Sequence, residues 1–108
     1  MTWVVLCLAG GLEVIFALSM KWSLGFSRLL PSILAVLTGL SSIGLLSYVL
    51  RSLPVGTAYA VWTGIGAAGT AVFGMLLLGD PAHPSRLVCI GLIMLGVIGL
   101  RLFSPGAL

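Results

Sequence analysis

Apolar residues dominate four stretches of this chain, and polar residues gather in the three short breaks between them. The stretches are residues 2–20, 31–50, 55–78 and 86–103. A bilayer core about 30 Å thick takes about 20 apolar residues of helix, and each stretch falls near that length. The fourth has only residues 87–100 between its charges; it reaches a full span because Arg86 and Arg101 can snorkel to the interfaces and Leu102 and Phe103 extend it. Pro31 opens the second stretch, where the first turn of a helix tolerates proline. Trp3 and Trp22 flank the first at headgroup depth, in the manner of an aromatic belt. The pattern predicts an all-α integral membrane protein with four transmembrane helices in a single domain, 1–108.

Composition agrees with that reading. Of 108 residues, 60% are hydrophobic and 6% charged, whereas ordinary soluble domains carry roughly 25% charged residues. So few charges cannot coat a water-facing surface, which excludes a soluble enzyme, a disordered chain and a nucleic-acid binder. The net charge of +3 comes from single, scattered basic residues rather than a patch. Cys7 and Cys89 lie inside apolar runs, with neither metal-ligand spacing nor a disulfide framework, so no metal or cofactor is expected. The first stretch lacks a basic leader and carries a carboxylate, so it reads as a mature helix rather than a signal peptide. The connections leave no room for an extramembrane domain, and function is expected inside the membrane.

Four spans put both termini on one side together with the second loop, which gives that side Arg51 and Arg101. The other side holds Lys21, Arg28 and Arg86. Orientation follows the Lys/Arg excess in short loops, and three against two is hardly an instruction. Dual topology is the favoured reading, with a weakly biased single orientation as its alternative. Oppositely inserted copies would form antiparallel dimers, supplying the inverted repeat that many transporters encode within one chain.

Glu13 interrupts the first span near its middle. An acid at helix centre costs roughly 2.5–3.5 kcal/mol on insertion, while the nine Leu, Ile, Phe and Val residues around it return about 4 kcal/mol in total. The helix inserts narrowly, a burden that a merely hydrophobic span would not carry. Such acids usually face a bundle interior and mark an ion, proton or substrate path; the alternative is a protonated glutamic acid acting as interhelical glue. No Lys or Arg lies at membrane depth to pair with it, since Arg86 and Arg101 stand at the interfaces, which favours an exchangeable cation. Ala9, Gly10, Phe16 and Ala17 share its face at three or four residues' distance. In the second helix Thr38, Ser41 and Ser42 are the mid-depth polar groups. Each is suited to donate to a carboxylate, or to a carbonyl of its own helix four residues back.

Tyr59, Trp62, Thr63, Gly66 and Thr70 share one face of the third helix. The aromatic pair suits a planar cation and the hydroxyls suit holding it; interface anchoring and packing explain the same residues equally well. Gly64, Gly66 and Gly69 either form a hinge or allow close helix contact. Cys89 and Gly96 lie seven apart on one stripe of the fourth helix, which suits helix association. His83 reads as a loop residue only.

Gly10, Glu13-Val14, Leu18 and Lys21 are followed by Gly25-Phe26-Ser27-Arg28 and then by Leu53-Pro54-Val55-Gly56-Thr57-Ala58-Tyr59-Ala60-Val61-Trp62-Thr63-Gly64-Ile65-Gly66. Together these resemble the small multidrug resistance family over nearly the whole chain. With Thr63 and Ser42 in place, the resemblance is to its guanidinium-exporting branch rather than its quaternary-ammonium branch. It implies an antiparallel homodimer in the bacterial inner membrane, exchanging protons for guanidinium or small substituted guanidinium ions by alternating access. Glu13 of both subunits would bind proton or substrate, with Gly10, Ser42, Tyr59 and Trp62 lining or ordering the site. The stretch from Cys89 to Gly96-Val97 loosely matches the family's dimerisation segment. One departure stands out. The guanidinium exporters typically carry tryptophan where this chain has Phe16, so an indole hydrogen bond that would orient Glu13 is absent. The rival readings are an exporter of quaternary ammonium or other small organic cations, and a non-transporting membrane assembly subunit. Against the first, the drug-exporting relatives usually place an aromatic near Leu40 and Ser42.

Overall fold

A computed structural model describes residues 2–103. Its helices are α1 (Thr2–Trp22), α2 (Leu29–Val49), α3 (Val55–Leu77) and α4 (Pro84–Leu102). All four are long and apolar enough to cross a membrane. The ends differ slightly from the sequence expectation, for local reasons. Lys21 falls in the last turn of α1, where a cation complements the negative helix end. Pro31 is the third residue of α2, in its first turn, where its missing N–H is one of the four that find no partner in the helix. Pro84 occupies the first position of α4, for which its fixed φ is suited.

The α1–α2 turn is built on the buried Ser23, whose hydroxyl donates to the Met20 carbonyl at 2.7 Å and accepts from the Phe26 amide at 2.9 Å. Leu24, Gly25 and Phe26 all take left-handed backbone angles, with φ of 50°, 74° and 65°. Only glycine adopts that region without steric cost, so the serine clamp holds a turn that two of its residues resist.

α1 packs against both α2 and α3, α2 and α3 barely touch, and the α4 backbone meets α3 alone. The order across the protein is therefore α2–α1–α3–α4, a slab 43 × 34 × 17 Å. Its apolar core lies at one end, where Trp3 and Leu6 of α1 meet Leu46 and Val49 of α2 and Ala58 and Val61 of α3. The Arg101 guanidinium stacks over the Trp3 ring at 5.2 Å and ties the end of α4 to the start of α1. No residue of α4 is buried. A slab this thin encloses no path through its own middle, since one helix with its side chains is already about 10–12 Å across.

Candidate functional site

The site is built around α1. Gly10 lies against Ile65, Glu13 over Gly66 and Val14 against Gly69, so successive turns of α1 and α3 are in close contact. The Gly66 contact shapes the chemistry: a Cβ there would fall on the Glu13 carboxylate. The missing side chain is the carboxylate's seat. Oε1 of Glu13 is buried and has no hydrogen-bond partner among the described residues. A buried polar atom without a partner costs about 1–3 kcal/mol, so the carboxylate is left with capacity to bind a proton or a cation.

Cavities open on both sides of this group. One, of about 220 Å³, lies towards α2 and is lined by Glu13, Phe16, Gly39, Leu40, Ser42 and Trp62 among others. The second, of about 560 Å³, runs between α1 and α3 from Glu13 and Phe16 past Thr63, Gly66 and Thr70 to Asp80 and Arg86. Phe16 borders both. Its ring lies on Gly39, where a Cβ would meet Cδ1 at 2.8 Å.

The polar residues expected around Glu13 are mostly committed elsewhere. Ser42 is buried; its hydroxyl donates to the Ala9 carbonyl of α1 at 2.6 Å and accepts from the Trp62 indole N–H at 2.9 Å. It therefore donates neither to the carboxylate nor to its own helix, and instead links α1, α2 and α3. Thr38 and Thr63 bond back to Leu34 and Tyr59 of their own helices, each at 2.7 Å, and Ser41 is exposed. Tyr59 and Trp62 do form a pair, with centroids 5.5 Å apart and planes tilted by 52°. Trp62 lines the smaller cavity, whereas Tyr59 lines neither and is 55% exposed.

Gly10 is buried against Ile65 rather than open to a cavity. Gly64 and Gly66 lie inside an unbroken α3. Gly64 receives Val97 of α4, and Gly66 receives Glu13, so both make close contacts and no hinge is visible in this conformation. Cys89 and Gly96 are exposed on α4, and a Cβ at Gly96 would meet nothing. Among the described residues no group of His, Cys, Asp and Glu is placed to hold a metal. Three site features escaped the sequence reading: Gly66 as the seat of the carboxylate, Gly39 as the floor under Phe16, and the Asp80–Arg86 pair at the far end of the larger cavity. In the sequence Asp80 reads only as a loop charge, and Arg86 only as an interfacial end of the fourth span that counts towards orientation.

This arrangement has relatives. The family model described as Small Multidrug Resistance protein matches residues 1–93. The chain is 56% identical to a guanidinium exporter of Citrobacter freundii over 102 residues, which is 94% of this chain and 97% of the relative. It is 55% identical to a guanidinium exporter of Yersinia pestis over 104 residues, covering 96% of this chain and all of the relative. Four membrane-spanning helices around one buried carboxylate, and likeness along almost the full length, place this chain in the small multidrug resistance family of multi-pass inner-membrane transporters.

Proposed function

We propose that this protein exports guanidinium in exchange for protons, working as an antiparallel homodimer. The observation that carries the proposal is the Glu13 carboxylate: it lies within a membrane span, between two cavities, and Oε1 has no partner among the described residues. Among the described residues no Lys or Arg is paired with it, and Arg86, at the far end of the larger cavity, pairs with Asp80 instead, so it holds a proton or a substrate cation in turn. Competition for the same carboxylate, together with a dimer that changes conformation only when occupied, is sufficient for antiport. The high identity to guanidinium exporters supports guanidinium as that cation. A planar ion with donors around its rim also suits carboxylates better than a bulky apolar one does.

A second copy supplies what the slab lacks. It would close the open cavities and cover α4, whose Cys89 and Gly96 present a small-residue surface. It would also give the exposed Tyr59 a cavity to face. The glue reading finds no support in a Glu13 oxygen that has no hydrogen-bond partner among the described residues. Export of small quaternary ammonium ions is the second reading, favoured by Phe16 and by the apolar Val36, Leu40 and Ile43 around the smaller cavity.

Proton-driven uptake into proteoliposomes, with guanidinium and a small alkylammonium ion measured side by side, tests the choice. Guanidinium is expected to be exchanged and large aromatic cations to be poor substrates. In the same assay Phe16→Trp should change the ratio of guanidinium to alkylammonium transport, because it adds an N–H donor beside Glu13 and enlarges the wall between the cavities. Unchanged rates for both ions would remove residue 16 from the site.

The near-balanced loop charges lead to a separate expectation. C-terminal reporter fusions should label both sides of the membrane, and one or two lysines added to a single loop should force one orientation. A wild-type chain found wholly in one orientation would overturn the antiparallel homodimer.

A further inference from the structure

The larger cavity has a carboxylate at each end. Glu13 closes one, and Asp80, joined to Arg86 at 3.7 Å, borders the other. Asp80 is placed by backbone geometry: its amide donates to the Gly74 carbonyl at 3.2 Å, and its carboxylate lies where a Cβ on Gly74 would be. That puts Asp80 beside the C-terminal end of α3 and Arg86 in the first turn of α4. Each charge thus stands at a helix end of its own sign, where it is disfavoured. Helix capping does not account for the pair. The carboxylate and the α3 C-terminus add up to a negative locus that draws cations, and the cation now on it is a guanidinium, the chemical group of the proposed substrate. The pair is half-exposed, with a single long contact, the kind of ion pair that contributes little.

We propose that Asp80 is an outer binding site for the guanidinium ion, with the Arg86 side chain as a tethered competitor that substrate displaces on its way to or from Glu13. The proposal rests on the guanidinium-exchange reading and deepens it. Arg86 keeps the outer carboxylate neutralised when substrate is scarce. An incoming guanidinium takes its place and then moves along the cavity to the buried carboxylate.

Concentration-dependent guanidinium uptake into proteoliposomes tests this with wild type, Asp80→Asn, Arg86→Gln and Glu13→Gln. Asp80→Asn should raise KM about fivefold with little change in maximal rate, the scale of one exposed charge pair. Arg86→Gln should lower KM, because the competitor is gone; a merely structural ion pair would make both substitutions act in the same direction. An unchanged KM in Asp80→Asn, or a KM raised alike by both, overturns the outer site while leaving Glu13-dependent exchange intact. A wild type that exchanges no guanidinium overturns the functional reading, and the outer site with it.

Discussion

Replacing Glu13 by glutamine is expected to abolish the proposed exchange of guanidinium for protons while the protein stays inserted and keeps its oligomeric state. The amide keeps the volume of the carboxylate over Gly66, so packing of α1 on α3 is retained. It removes the charge that a proton or a cation neutralises. Each charge-assisted hydrogen bond is worth about 1.5–3 kcal/mol, a factor of about ten to a hundred in affinity, and in the proposed dimer both subunits lose theirs together. Uptake in reconstituted Glu13→Gln should therefore fall to the level of protein-free liposomes, with an unchanged elution volume in detergent. Retained proton or guanidinium exchange would show that the carboxylate is structural.

Gly66→Ala separates position from charge. The added methyl falls on the carboxylate, and the end of a flexible side chain moves aside at little cost to folding. Exchange should drop at least about tenfold, since binding and transfer depend on placement to within about 1 Å, while insertion and dimerisation persist. Gly64→Ala, only two residues away, should behave differently. Its methyl meets Val97 of α4 at 2.6 Å, an overpacking that costs about 1–3 kcal/mol. That variant should unfold earlier on heating in detergent yet keep exchange by the fraction that remains folded. If both alanines lower stability and leave the exchange rate per folded protein alone, Gly66 is an ordinary packing glycine.

The sequence by itself determined the four spans and the carboxylate within them. Insertion depends on length and summed hydropathy, both local properties, and one acid among apolar residues cannot be overlooked. The faces were legible too, because helical spacing alone put Phe16 beside Glu13 and Tyr59 beside Trp62. Tertiary structure decided what each face meets. Helices that are apolar all round carry little signal about which neighbour they turn towards, so nothing in the sequence put α1 between α2 and α3 or left α4 uncovered. For the same reason Ser42 could be named as a mid-depth hydroxyl but not as the link that bonds Ala9 and Trp62. Gly66 and Gly64 lie two residues apart, and the sequence offers the same two roles for both, hinge or close contact. They differ because two steps along a helix turn the backbone by about 200°, so one glycine faces Glu13 of α1 and the other Val97 of α4. Asp80 and Arg86 share Glu13's cavity only because α3 and α4 bring their shared loop to its far end. That is a contact between segments far apart in the chain, and only the packing of the helices creates it.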